Sequence, residues 1–209
     1  MTETSLSENE FMVLNYLDIY KSVTDISILQ ESIGLNSREI KLVLSGLEAK
    51  GYVTKAVSNG AYWEITPSGE RVVSAHRQLM LNQVEQKAVV IKSCEDFEEV
   101  NVKFKQLVTM WQMKNIDGVF VINDHMDPVY DAKILNDLFA LHKDVVDVVE
   151  RLAKFFPRYK RYIGRLDYAI EKLKIGEHDY LVRDPKSYHS IWYELHEDIL
   201  KLWGKERKE

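Results

Sequence analysis

The sequence predicts a mostly α protein in two parts: residues 1–80, with three helices and a β-hairpin ahead of a further helix, and residues 81–209, an all-α helical domain. Three observations carry this. Apolar residues recur at helical spacing along most of the chain. Between residues 52 and 65 the period changes to alternation around an Asn-Gly pair. Beyond that hairpin the long segments return to helical spacing.

The first helix spans Glu8 to Tyr20, where Phe11, Leu14 and Leu17 recur on one face. A second fits Asp25 to Ser32, with Thr24 or Asp25 as its cap and Gly34 as its stop. Asn36 or Ser37 caps a third, running to about Lys50 with Ile40, Leu44 and Leu47 inward and Gly51 at its end. Tyr52, Val53 and Val57 then face Tyr62, Trp63 and Ile65 across Ser58-Asn59-Gly60, and Asn-Gly suits a tight turn that needs positive φ at both central positions. Thr66-Pro67-Ser68-Gly69 opens the next helix, with Pro67 where a missing N–H costs nothing. This is the element order of a winged helix-turn-helix.

The helix opened at Thr66 is expected to continue to Ile91. Ser93-Cys94-Glu95-Asp96 reads as a capping box for a following helix, with Phe97, Val100, Phe104, Leu107 and Trp111 on its inner face to about Lys114. Ile116 to Tyr130 is expected to be irregular, and helices are expected at about 129–156, 158–174 and 187–203.

With 209 residues and 45% apolar content the chain is able to bury a substantial core. The single cysteine, Cys94, has no partner for an intramolecular disulfide, and neither a leader pattern nor an apolar run near the ~20 residues of a membrane span is present, so a soluble cytoplasmic protein is expected. The net charge is −5, and residues 1–80 hold seven Lys and Arg against ten Asp and Glu, a balance of −3. Binding to nucleic acid would therefore rest on where charges sit.

Leu35-Asn36-Ser37-Arg38-Glu39-Ile40-Lys41, Leu44, Leu47-Glu48, Lys50-Gly51-Tyr52-Val53 and Ile65-Thr66-Pro67-Ser68-Gly69 together resemble the winged helix-turn-helix of MarR-like transcriptional regulators. The likeness covers roughly residues 8–80. It implies that the third helix enters the major groove of double-stranded DNA, that the hairpin wing touches flanking backbone, and that the following helix leads to a dimerisation or effector region. Carried over by position, the DNA-binding residues are Ser37, Arg38, Lys41, Leu42 and Ser45, with Lys55 and Asn59 on the wing. Trp111-Gln112, the run Asn123 to Asp131, Arg158 with Tyr162, Arg165-Leu166 and the run Ser187 to Glu197 are faintly similar to helical domains appended to such regulators, a likeness that implies no particular ligand.

Three constellations in the second part bear on chemistry. His189, Trp192, Tyr193 and His196 share a helix face, but histidines seven residues apart lie ~10 Å apart along the axis, too far to chelate one ion through ~2 Å bonds. Histidines buried beside aromatic rings and bonded to carboxylates are the expectation. The Asn123 to Asp131 run holds three carboxylates and His125 without the glycine and terminal glutamate of an EF-hand, and Asp127-Pro128 reads as a helix start. Arg158, Arg161 and Arg165 form a stripe that either binds a small anionic effector, with Tyr162, His189, Trp192 and His196 as further contacts, or pairs with Asp144, Asp147 and Glu150.

No phosphate loop, nucleophile elbow, paired-cysteine motif or HExxH is present, so neither an enzyme nor a cofactor or metal is expected. The expected function is a homodimeric DNA-binding transcriptional regulator whose helical domain dimerises, binds an effector, or both. The alternative is a protein-interaction adaptor that docks through the winged helix.

Overall fold

In the computed structural model, which describes residues 5–56 and 62–207, helix α1 (Glu8–Tyr20) begins at a reciprocal capping box in which Ser7 Oγ accepts the Glu10 N–H and the Glu10 carboxylate accepts the Ser7 N–H. A two-residue strand, β1 (Ser22–Val23), follows where the sequence shows no strand pattern. Helix α2 (Ile26–Ile33) is capped by Asp25, which accepts the Ser27 N–H at 2.8 Å, and stops at Gly34 with φ +76°. Asn36 caps α3 (Ser37–Ala49) and accepts the Arg38 and Glu39 N–H groups at 3.0 Å each. The two cap choices left open by sequence thus fall to Asp25 and Asn36.

Strands β2 (Val53–Ala56) and β3 (Tyr62–Ile65) pair antiparallel, with Val53 opposite Ile65 and Lys55 opposite Trp63, and β1 adds to the other edge of β3, giving the order β1-β3-β2. The expected turn residues Ser58, Asn59 and Gly60 lie outside the described residues, as does Val57. Helix α4 (Pro67–Asn82) starts at Thr66, whose hydroxyl accepts the Gly69 N–H at 3.1 Å and donates to the Gly51 carbonyl at 2.7 Å. Gly69 is required at this junction, because a Cβ there would stand 2.1 Å from the Tyr52 carbonyl oxygen.

Helix α4 ends at Asn82, and a separate helix, α5 (Lys87–Gln112), starts after four intervening residues, which corrects the single helix expected to Ile91 and the new start expected at Ser93. Ser93 and Cys94 are buried inside α5, and Ser93 Oγ donates to the Val89 carbonyl instead of capping. A second antiparallel pair, β4 (Met113–Ile116) and β5 (Val119–Ile122), occupies part of the stretch expected to be irregular. It makes the second part helical with a hairpin, not all-α. Then come α6 (Pro128–Ala153), a 3-10 turn at Pro157–Tyr159, α7 (Lys160–Lys174), the short α8 (Asp179–Val182), and α9 (Tyr188–Trp203). The protein is mostly helical, with two small antiparallel sheets among the described residues.

The chain divides into two compact units, one of residues 1–85 and 197–209 and the other of residues 86–196. The sequence reading places everything after residue 80 in the second part. In the structure α9 is shared, and its C-terminal half belongs to the first unit. The core of that unit gathers Phe11, Leu14, Leu17, Leu29, Ile40, Leu44, Leu47, Val53, Ile65 and Val73. Beside it lies a buried polar cluster. Arg77, 2% exposed, donates to Asn15 at 2.8 Å and to Asp18 at 2.7 Å, and Lys201 reaches Asp18 at 3.1 Å. Burial pushes the Asp18 carboxyl upward, but Arg77 and Lys201 outweigh it and hold its pKa below the ordinary value.

Candidate nucleic-acid interface

Helix α3 presents an outward face because its apolar residues are confined to one stripe. Ile40, Leu44 and Leu47 are fully buried against the core, which turns Arg38, Lys41, Leu42 and Ser45 to the exterior, and all four are exposed. Arg38 and Lys41 stand one turn apart, so both side chains serve the same strip of surface. Leu42, next to Lys41 and one turn beyond Arg38, is 67% exposed, an apolar side chain beside two basic ones. Ser37 is half-buried and its hydroxyl donates to Gln30 on α2 at 2.6 Å, so it ties α3 to the preceding helix.

On the β2–β3 hairpin, Lys55 is exposed, with its ammonium 5.9 Å from the centre of the Trp63 ring. Asn59 lies outside the described residues. Among the basic residues counted in residues 1–80, Arg77 is buried in the Asp18 cluster, Lys50 pairs with Glu10, and Lys21 pairs with Asp18 and Glu70. The remaining four are Arg38, Lys41, Lys55 and Arg71, all exposed; Arg71 lies on α4, where it donates to the Ser68 hydroxyl at 2.9 Å, and Arg38, Lys41 and Lys55 lie on α3 and the hairpin.

The seven effector candidates of the second part lie on the 3-10 turn, α7 and α9. Arg158 is buried against the rings of Phe156 and Tyr159, at 5.3 and 4.6 Å from their centres. Arg165 pairs with the buried Glu194 at 2.9 Å and lies over Tyr162, which is itself buried. Arg161 is partly buried in the same helix. The partner of Arg165 is a glutamate on α9; of the carboxylates named from sequence on α6, Asp144 pairs with Lys103 and Asp147 with Arg151. Trp192 donates to Asn101 at 3.0 Å and stacks on Phe97 and Phe104. His196 is buried with Nε2 2.6 Å from the Glu98 carboxylate, while His189 faces outward. An open groove of about 480 Å³ between α5 and α6 is lined by Lys103, Gln106, Leu107, Met110, Asp137 and Asp144, and none of the seven candidates lines it.

The carboxylates of the Asn123 to Asp131 run are engaged within the chain. Asp127 caps α6 by accepting the Val129 and Tyr130 N–H groups, as its position before Pro128 predicts. Asp131 accepts from Asn123 at 2.9 Å and lies 2.9 Å from His125 Nδ1, and the His125 ring packs on Trp111. His142 bridges Asp167 and the hydroxyl of Tyr188, whose burial, with Asp167 nearby, pushes its pKa well up and keeps it neutral. No group of three or more metal-ligating side chains converges among the described residues, and no described helix is long and apolar enough to cross a membrane.

The β4–β5 hairpin is the feature that sequence reasoning missed. Its signal was Asp117-Gly118 between Ile116 and Val119, the second pair in the chain suited to a tight turn, and both residues adopt positive φ, +52° and +87°. Comparison of the chain with family models, with curated proteins and with solved structures gives no match.

Proposed function

We propose that the chain is a non-catalytic, DNA-binding transcriptional regulator, dimeric in solution, in which the first unit serves as a winged helix-turn-helix. The observation that carries this is the joint exposure of Arg38, Lys41 and Ser45 on one face of α3, directly after the short α2–α3 turn and directly before the β2–β3 hairpin bearing exposed Lys55. In that arrangement α3 reads the major groove and the hairpin meets neighbouring phosphates, since a helix of this width fits the groove and two cations at its start reach base edges or backbone. The second unit then supplies the dimer contact that sets the spacing of two α3 helices.

The test is fluorescence anisotropy of the full chain on genomic duplex fragments over a salt series. Wild type is expected to bind with a steep salt dependence. Arg38→Ala with Lys41→Ala is expected to weaken binding by roughly tenfold or more and to flatten the log–log salt slope by about two, one per lost phosphate contact. Equal affinity and slope for both proteins would sink the proposal. The exposed Leu42 favours a second reading, a protein-docking module, because an apolar residue at the centre of the face suits a partner protein. Absence of any salt-sensitive duplex complex, with a partner retained on wild type and lost with Leu42→Asp, would favour that reading.

A further inference from the structure

Helices α5 and α6, both of the second unit, form the walls of the open groove of about 480 Å³. Its lining recurs at i, i+3, i+4 and i+7 on each helix, from Lys103 to Met110 on α5 and from Asp137 to Asp144 on α6, so the groove runs along both axes for about two turns, ~10 Å. Leu107 and Leu141 are buried and, with half-buried Met110, give it an apolar floor. Ala140 is exposed and carries only a methyl group, which leaves a hollow where a longer side chain would stand. Beyond the groove the same stripes turn to exposed charge, at Glu99 on α5 and at Lys133 and Asp147 on α6.

Charge in the groove is unevenly matched. Lys103 and Asp144 face each other at 3.9 Å and offset one another. Asp137, two turns from Asp144 on α6, has neither ion pair nor hydrogen bond among the described residues, and Lys133 one turn earlier makes no ion pair with it. With one lysine against two aspartates, the lining keeps a charge of −1 beside an apolar floor. We propose that this groove binds a small organic cation, its apolar body on Leu107, Met110 and Ala140 and its ammonium group at the Asp137 carboxylate. The assignment goes beyond the DNA-binding reading and does not depend on it.

Size and sign both select this ligand. The volume falls within the roughly 300–1,000 Å³ usual for small-molecule sites. A docked helix would extend past both ends of so short a groove, onto charges of both signs at Glu99, Asp147 and Lys133, whereas a ligand no longer than the groove stays clear of them. An anion would meet two carboxylates and an ammonium that already faces one of them; a cation gains the carboxylate that has no counter-charge. Any ligand on the floor strips water from Asp137, and only a cation offsets that loss. The sign is opposite to that expected of the arginine stripe, where Arg165 is taken by Glu194.

Isothermal titration calorimetry of the full chain against phenethylammonium, phenylacetate and 2-phenylethanol tests the assignment, because the three probes share a ring and differ in charge. Phenethylammonium is expected to bind one per chain and about fivefold tighter than 2-phenylethanol, with phenylacetate the weakest of the three. Asp137→Asn is expected to remove the advantage of the cation over the alcohol. Ala140→Leu, which fills the hollow, is expected to abolish binding of both. Each substituted position is exposed, so both proteins are expected to keep the far-ultraviolet circular dichroism and melting profile of wild type. Arg38→Ala with Lys41→Ala is expected to bind the cation as wild type does, which separates this claim from DNA binding. Absence of phenethylammonium binding, equal affinity for phenylacetate, or a cation affinity unchanged by Asp137→Asn or by Ala140→Leu would overturn it.

Discussion

The protein carries two hairpins of similar length and opposite circumstance. In β2–β3 one face is committed: Val53 and Ile65 are 2% and 7% exposed in the core of the first unit, and β1 covers the outer edge of β3. In β4–β5 the side chains of β5 are exposed on both faces and no third strand is present among the described residues. Polarity distinguishes them in the sequence. Val53-Thr54-Lys55-Ala56 carries two polar residues, both exposed, whereas Val119-Phe120-Val121-Ile122 is apolar throughout. A strand with one apolar face belongs to a core; a strand with two needs cover on both sides. The first hairpin is packed into the core of its unit, and β5 of the second is exposed on both faces.

The difference is open to attack at its support. The first hairpin rests on helices tied by the Asp18–Arg77 pair, so Asp18→Asn strands a buried guanidinium and is expected to destabilise the first unit by about 3–5 kcal/mol, read by chemical denaturation. The same pair gives a pH signature. Because the folded pKa of Asp18 is depressed, its stabilisation is complete above the unfolded value of about 3.9 and is lost as pH falls through the lower folded value. Wild type is therefore expected to lose stability below about pH 4 with a slope that Asp18→Asn reduces; parallel acid profiles for the two proteins would remove the pair from the account.

A smaller effect sharpens the contrast directly. Ile65→Ala is expected to cost about 2–4 kcal/mol of unfolding free energy, since the side chain is packed in the core, whereas Ile122→Ala, at an exposed position, is expected to change stability by less than about 0.5 kcal/mol. Equal losses would mean that both hairpins belong to the protomer core. Smallest of all, Lys55→Ala should leave thermal unfolding nearly unchanged, because its contact with Trp63 is exposed, while lowering affinity for duplex DNA by severalfold.

The first unit was legible in the sequence because each boundary carries its own chemistry. Ser7, Asp25, Asn36 and Thr66 are side-chain caps, Gly34 takes positive φ at a helix end, and Gly69 meets a carbonyl oxygen. What escaped was non-local. Strand β1 is two residues long and exists only because β3 is beside it. The break between α4 and α5 lacks any cap, as Gln86 makes no side-chain capping bond, so the better cap pattern at Ser93 misled. Of the candidate residues on α3, Arg38, Lys41, Leu42 and Ser45 lie outward because Ile40, Leu44 and Leu47 fix the helix rotation, whereas Ser37 is half-buried and bonds to Gln30. The arginine stripe was legible only as two alternatives, because which carboxylate meets Arg165 depends on the path of a helix almost thirty residues downstream.

The sharing of α9 also governs the order in which the protein is made. Ile199, Leu200 and Leu202 are buried, Lys201 reaches Asp18, and all four belong with residues 1–85. On the ribosome, residues 1–85 emerge first and wait for the whole of the second unit to be translated before α9 arrives. A truncated product ending before residue 197 therefore lacks part of the first unit, although it contains every residue of α3 and the hairpin beside it. Interrupted chains are thereby biased toward unfolding and removal.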